Sequence, residues 1–336
     1  MSFEPTPFVP RRWLWNGHIQ TIAGNFLPRK NQLPPYTSEL IEVSPATSNQ
    51  ISSQVLCHCH WQSEAVRSSR LTAILLHGLE GSSQSQYIVG NATKMWRAGM
   101  NVVRMNMRNC GDTESLSPTL YHSGLSGDVN AVMQFVTRRF GLERVALVGY
   151  SMGGNLVLKL AGELGASNSV LKAVAGISPA LDLGPSADAL HLPSNRLYEH
   201  RFRAALLKRF RRKAMLFPRV YDPAQADGVS SLRDFDERIT ALYSGFTSAS
   251  DYYFRAAAAR VLETIAVPTL ILHALDDPFV RITEESRAKI AANANIHLVE
   301  TAHGGHCAFL DPPSPATGHD GYWAESTVLR FLQENG

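Results

Sequence analysis

Short unbroken apolar blocks alternate along this chain with stretches whose apolar residues recur at three- and four-residue spacing. Residues 71–77 (LTAILLH) form one such block and stop at Gly78, the pattern of a strand buried on both faces. Residues 101–107 (NVVRMNM), 144–149 (RVALVG), 171–177 (LKAVAGI), 268–275 (PTLILHAL) and 296–300 (IHLVE) repeat it. Residues 53–61 (SQVLCHCHW) alternate instead, as a half-buried strand does. Helical spacing marks 87–99, 124–139, 153–164, 282–292 and about 321–334. Strand and helix alternating at these intervals predict an α/β fold, with a mostly parallel sheet and helices on both faces.

Residues 181–262 interrupt the alternation. They hold few strand signals and much helix-forming composition, as in 201–216 (RFRAALLKRFRRKAML) and 249–263 (ASDYYFRAAAARVLE). They are expected to form a mainly helical cap inserted into a core made of 36–180 and 263–336. Residues 1–35 show no clear period and are expected to lie as an arm on the body, pinned by Trp13, Trp15 and Phe26.

Composition changes this picture little. At 336 residues, 44% hydrophobic and 18% charged, the chain can bury a substantial core. A net charge of +3 is weak, and no aromatic-interleaved basic stretch suggests an RNA or DNA module, so there is no reason to expect a nucleic-acid partner. Four cysteines are too few for a disulfide framework at this length. With no signal peptide or membrane-length apolar run in the sequence, the expectation is a soluble cytoplasmic protein.

The chemistry enters at 149–153, Gly-Tyr-Ser-Met-Gly, between the strand at 144–149 and the helix at 153–164. G-x-S-x-G in that setting predicts a nucleophile elbow, with Gly149 and Gly153 needed where the chain passes close to itself. Ser151 then requires a base, and the base an orienting acid, in the order Ser, acid, His. Asp276-Asp277 follows one strand and His303-Gly-Gly-His306 follows another. Asp277 is the expected acid, with Asp276 the alternative. His306 is the expected base, with His303 the alternative. Negative charge on the attacked carbonyl oxygen calls for two N–H donors. Met152 at the helix start supplies one, and Leu79 in the His77-Gly78-Leu79 loop after 71–77 supplies the other, with His77 and Gly78 supporting that loop.

With these residues in place the chain resembles the α/β-hydrolase family, and within it the YheT-like branch of esterases. The resemblance rests on Asn16–Thr21 (NGHIQT), His77–Ser82 (HGLEGS), Tyr121–Gly124 (YHSG), Gly149–Asn155 (GYSMGGN), Phe235–Thr240 (FDERIT), Asp251–Tyr253 (DYY), Asp276–Phe279 (DDPF) and His303–His306 (HGGH). It implies a Ser–Asp–His hydrolase of carboxylic esters working without metal or organic cofactor on a small-molecule ester. The loop 108–112 (RNCGD) departs from the usual pattern and is expected to shape the pocket rim.

The same triad with an alcohol acceptor would make an acyltransferase, and a silent binding protein on this fold would be expected to have lost triad members. Cys57-His58-Cys59-His60 is not expected to form a metal site, because successive residues of a strand face opposite ways and set the two cysteines apart from the two histidines. The basic run in 201–213 marks a peripheral membrane contact or, as the plainer alternative, a solvated helix with its phenylalanines turned inward. Activity is expected to fall at low pH as His306 protonates, with an apparent pKa of roughly 6–7.

Overall fold

The computed structural model describes residues 3–27, 29, 31–48 and 51–336. Eight strands form one sheet: β1 Thr37–Ser44, β2 Ser53–His60, β3 Thr72–Leu76, β4 Asn101–Met105, β5 Val145–Tyr150, β6 Leu171–Ile177, β7 Thr269–Ala274 and β8 Ile296–Thr301. Their order is β1-β2-β4-β3-β5-β6-β7-β8. Pairs β1/β2 and β2/β4 are antiparallel, and every pair from β4 to β8 is parallel. The helices that matter below are α1 Gly17–Phe26, α2 Gln86–Arg97, α3 Ser126–Phe140, α4 Met152–Leu164, α5 Leu183–Leu190, α6 Arg196–Leu216, α7 Ala249–Ala256, α8 Glu284–Ala292 and α9 Trp323–Asn335.

Both faces of the sheet are covered, which is why the central strands read as continuous apolar blocks. In β3, Ala73 and Leu75 join one core with Ile88 and Met95 of α2 and Val328 and Phe331 of α9. Ile74 and Leu76 join the other, with Val129 and Val132 of α3 and Leu156 and Val157 of α4. In β2, Cys57 and Cys59 enter this second core, while His58 and His60 turn toward Tyr36. The opposed facings leave no common centre for an ion.

The arm differs from its expectation. It contains α1, started by Asn16, whose side chain accepts from the N–H groups of His18 and Ile19. Trp13 and Phe26 do not pin it, being 82% and 68% exposed, while Trp15, 53% exposed, packs edge-on to His303 of the body. Phe3 and Phe8 do pin it: Phe3 packs edge-on to Phe331 at 5.2 Å, and Phe8 packs against Phe309 and Trp323.

Between β6 and β7 the chain leaves the sheet and folds mainly as helices, α5 to α7, with a π-helical stretch Asp236–Ala241 following the short turn Leu232–Phe235. The basic run of α6 is partly internal. Phe210 is buried, and Lys213 is completely covered. The Lys213 ammonium donates to Asn109 Oδ1 at 2.6 Å, to the Glu114 carbonyl at 2.8 Å and to the Ser117 carbonyl. Burial lowers its pKa to about 7, partly offset by Glu114. Lys213→Met is expected to strand three acceptors and cost about 3 kcal/mol of unfolding free energy by urea titration. Lys208→Met, on the exposed face of the same helix, is expected to leave the urea midpoint where it was.

Candidate active site

The chain turns from β5 into α4 through Ser151, whose φ of 54° and ψ of −116° lie where a side chain is strained. The turn is possible because its neighbours lack side chains. A Cβ on Gly149 would stand 2.2 Å from the Gly153 carbonyl oxygen. One on Gly153 would stand 2.4 Å from the His77 carbonyl oxygen and 2.7 Å from that of Leu76. Those neighbours are backbone and cannot rotate away. Gly153→Ala is therefore expected to cost about 3 kcal/mol, or to prevent folding, as read by soluble yield and urea titration.

The loop after β3 faces this turn. The His77 Nδ1–H donates to the Gly78 carbonyl at 2.8 Å, and its Nε2 accepts from the Met107 N–H at 3.1 Å, so both ring nitrogens are engaged. Burial lowers its pKa to about 4, against the opposing pull of the Gly78 carbonyl, and the ring is neutral at pH 7. Gly78 donates to the Tyr87 hydroxyl at 2.9 Å. The Leu79 N–H makes no hydrogen bond among the described residues. The Met152 N–H stands in the first turn of α4, where no intrahelical acceptor exists.

Glu80 fixes the rest of this loop. Arg209 of α6 clamps its carboxylate at 2.9 and 3.1 Å, and the Tyr121 hydroxyl donates to it. Arg209 also reaches the Asn109 carbonyl. The loop 108–112 thus reaches the site through Arg209, and Lys213 ties it to α6. None of its residues lines either cavity that contains Ser151, so the expectation that it shapes the rim fails.

The two acid–histidine pairs separate cleanly. His306 Nδ1 lies 2.8 Å from Asp277 Oδ2, and the Asp277 side chain is wholly buried. The other Asp277 oxygen accepts from the N–H groups of Phe279 (3.1 Å) and Val280 (2.9 Å). Burial pushes this carboxyl up, but His306 and the N–H donors outweigh it and hold it below its ordinary value. On His306 burial disfavours the charged ring, while Cys307 and the Asp277 carboxylate favour it and prevail, so the pKa is raised. That is upward of the expected 6–7. Asp276 instead faces His303, at 3.4 Å, and Trp15 covers that ring. His303 lines neither cavity with Ser151.

Three consecutive N–H groups hang the His306 loop. Gly305 donates to Asp276 Oδ1 at 2.8 Å, His306 to Thr21 Oγ1 at 2.8 Å, and Cys307 to Ser178 Oγ at 3.0 Å. Gly305 has φ 58°, and a Cβ there would strike the Gly17 carbonyl at 2.4 Å. Thr21 donates in turn to that carbonyl at 2.6 Å. Gln20 donates to the Leu14 and Leu310 carbonyls and accepts from the Leu310 N–H. Within NGHIQT it is thus Gln20 and Thr21 that brace the histidine loop. Reading the arm as patternless missed Thr21 and Gln20, although the motif itself was the available signal.

Ser151 lines two cavities. The inner one, about 130 Å³, lies under the excursion and is mostly apolar, with Leu79, Met152, Leu183, Leu206 and Phe235 among its walls. The outer one, about 310 Å³, holds His306 and Cys307 together with Phe26, Gln84, Gln86 and Arg201. Phe279, packed on the His306 ring at 4.3 Å, borders both. Ser151 and His306 share the outer cavity without a mutual hydrogen bond, as is common in sites without substrate.

The remaining motifs gather around the inner cavity. Asn155 donates to the carbonyls of Ser123 and Ala256 at 2.9 Å each and accepts from the Ala258 N–H at 2.7 Å. The Tyr252 hydroxyl accepts from the Ser123 N–H. Asp236 accepts from the Tyr253 hydroxyl at 2.8 Å and from Thr240 at 2.7 Å, and burial raises its pKa to about 6 against those two bonds. YHSG, GGN, FDERIT and DYY therefore form one bonded wall joining α4 to the excursion.

Known proteins carry the same arrangement of elements. A family model described as alpha/beta hydrolase fold matches residues 74–216. "Putative esterase YheT" of Escherichia coli (strain K12) is 29% identical over 330 residues, covering 97% of this chain and 92% of its own. Phospholipase ABHD3 of Mus musculus is 30% identical over 307 residues, covering 90% and 73%. Among solved structures, the Pyrococcus furiosus esterase Pf2001 superposes with a TM-score of 0.54 at 15% identity over 99% of both chains, a likeness of fold alone. The sheet order, the strained serine turn and this near full-length similarity have one reading: the chain belongs to the α/β-hydrolase family, in its YheT-like branch.

Proposed function

We propose that the protein hydrolyses carboxylic esters of small molecules through an acyl-enzyme on Ser151, with His306 as base and Asp277 as its orienting acid. The observation that carries this reading is the buried Asp277–His306 pair opening onto the same cavity as a serine held at φ 54°. His306 Nε2 takes the hydroxyl proton as Oγ bonds to the carbonyl carbon. The Leu79 and Met152 N–H groups, neither hydrogen-bonded among the described residues, meet the oxyanion. The ester C–O bond then breaks, and the departing oxygen takes its proton from His306. Water repeats the sequence in reverse and frees the acid.

Because the leaving oxygen is protonated by His306, the leaving group belongs on the His306 side. His306 lines the outer cavity and not the inner one. The alcohol part therefore occupies the outer cavity and the acyl chain the inner, which favours short to medium acyl groups.

Intact mass after fluorophosphonate treatment tests the reading without a guess about substrate. One adduct is expected on the folded wild type, and its absence would remove the activated serine. A p-nitrophenyl ester series is then expected to peak at short to medium chains. A rate that keeps rising to palmitate would reverse the assignment of the cavities.

A further inference from the structure

α1 wears its polarity inside out. Gln20 and Thr21 face inward to hold the histidine loop, while Ile19, Ile22 and Phe26, spaced i, i+3 and i+7, face outward at 50%, 42% and 68% exposure. Trp13 and Trp15, just before the helix, extend the ridge at 82% and 53%. Five large apolar side chains exposed within residues 13–26 exceed the scattered exposure normal for a surface.

The segment that carries the ridge has charge of one sign. From residue 5 to residue 38 the sequence contains no Asp or Glu. Arg12 lies over the Trp13 ring, and Arg201 of α6 lies over Phe26. Along α6, Arg201, Lys208 and Arg211 are exposed and form no ion pair among the described residues. Asp276, beneath the ridge, is engaged by the Gly305 N–H and faces His303.

The ridge also has a place in the site. Ile22, Asn25 and Phe26 of α1 and Arg201 of α6 line the outer cavity with Ser151 and His306. A surface that rests on this ridge rests on the mouth of the cavity.

We propose that the Trp13–Phe26 ridge and the exposed basic side chains of α6 form a docking face for an anionic phospholipid bilayer, which seats the cavity mouth on the lipid. Tryptophans and an outward apolar helix face suit the depth of the lipid headgroups, and arginines and lysines beside them suit anionic ones. The contact is peripheral: no helix among the described residues is long and apolar enough to cross a membrane. The proposal relocates the expected membrane contact from α6 alone to α1, with α6 supplying the charge.

The test is cosedimentation of the full chain with phosphatidylcholine vesicles, with and without phosphatidylglycerol, across a salt series. Wild type is expected to sediment with the mixed vesicles at low salt and to be released as salt rises. The double variant Trp13→Glu/Ile19→Glu, neither position lining a cavity, is expected to lose about tenfold or more of the bound fraction. It should melt like wild type and still form a fluorophosphonate adduct. The binding readout does not depend on the esterase reading, so the two can fail separately. No sedimentation of wild type at low salt overturns the proposal, as does undiminished binding by the double variant. Equal binding to phosphatidylcholine alone overturns the anionic assignment. If wild type self-associates without lipid, ignores vesicles, and loses association in the double variant, the face is an interface between copies of this chain.

Discussion

Ser151→Ala is expected to abolish the fluorophosphonate adduct and to lower kcat on any ester substrate roughly a million-fold, with the residual rate owed to the oxyanion donors and binding. Loss on this scale separates a nucleophile from a serine that merely packs, since the side chain removed is one hydroxyl at a cavity wall. Stability provides the second readout. Alanine keeps the Cβ that strains the turn at φ 54°, so Ser151→Ala should unfold at nearly the wild-type urea concentration. Ser151→Gly removes that Cβ and is expected to be about 1 kcal/mol more stable than the alanine variant, though equally inactive. A protein that gains stability when its serine is removed is storing strain for that serine. If Ser151→Ala keeps more than a few per cent of wild-type kcat, Ser151 is not the nucleophile.

The centre of the sheet was legible because β3 to β7 are buried almost throughout, and a strand covered on both sides can only be written as an apolar block. β1 escaped because it is an edge strand: Ile41 is buried, but Leu40 is 53% exposed, and no clean alternation survives. α1 escaped for the opposite reason. Its buried face is polar, with Gln20 and Thr21 bonded to the histidine loop, so the period that marks a helix was present with its sign inverted. Arg209 and Lys213 were read within one basic run, because charge along a helix does not disclose which members find carbonyls and carboxylates beneath.

The candidate site residues could be proposed as a set, since the chemistry demands one order and one place at the sheet edge. Within each pair the sequence favours Asp277 and His306 but keeps Asp276 and His303 open. Asp276 and Asp277 are neighbours, as His303 and His306 nearly are, and three-dimensional packing alone sends one pair to the cavity and the other under Trp15.

That separation makes Asp277→Asn the sharpest test of the orienting acid. The carboxylate accepts from the imidazole Nδ1, which leaves Nε2 unprotonated and able to take the serine proton. An asparagine can present its Nδ2 donors there instead, favouring the other tautomer, and kcat is expected to fall roughly 10⁴-fold. The pH profile should move as well. The free enzyme needs neutral His306, so kcat/KM is lost as pH falls through the His306 pKa, which stands above its ordinary value in the wild type. Asp277→Asn removes a carboxylate that favours the charged ring while burial continues to oppose it. Its acid limb should therefore lie at lower pH than that of the wild type. Asp276→Asn serves as the control, because an asparagine oxygen can still accept from the Gly305 N–H, and both kcat and the limb should stay close to wild type. If instead Asp276→Asn shifts the limb and Asp277→Asn does not, the orienting acid is Asp276, and Asp277 serves only to hold the turn at Phe279 and Val280.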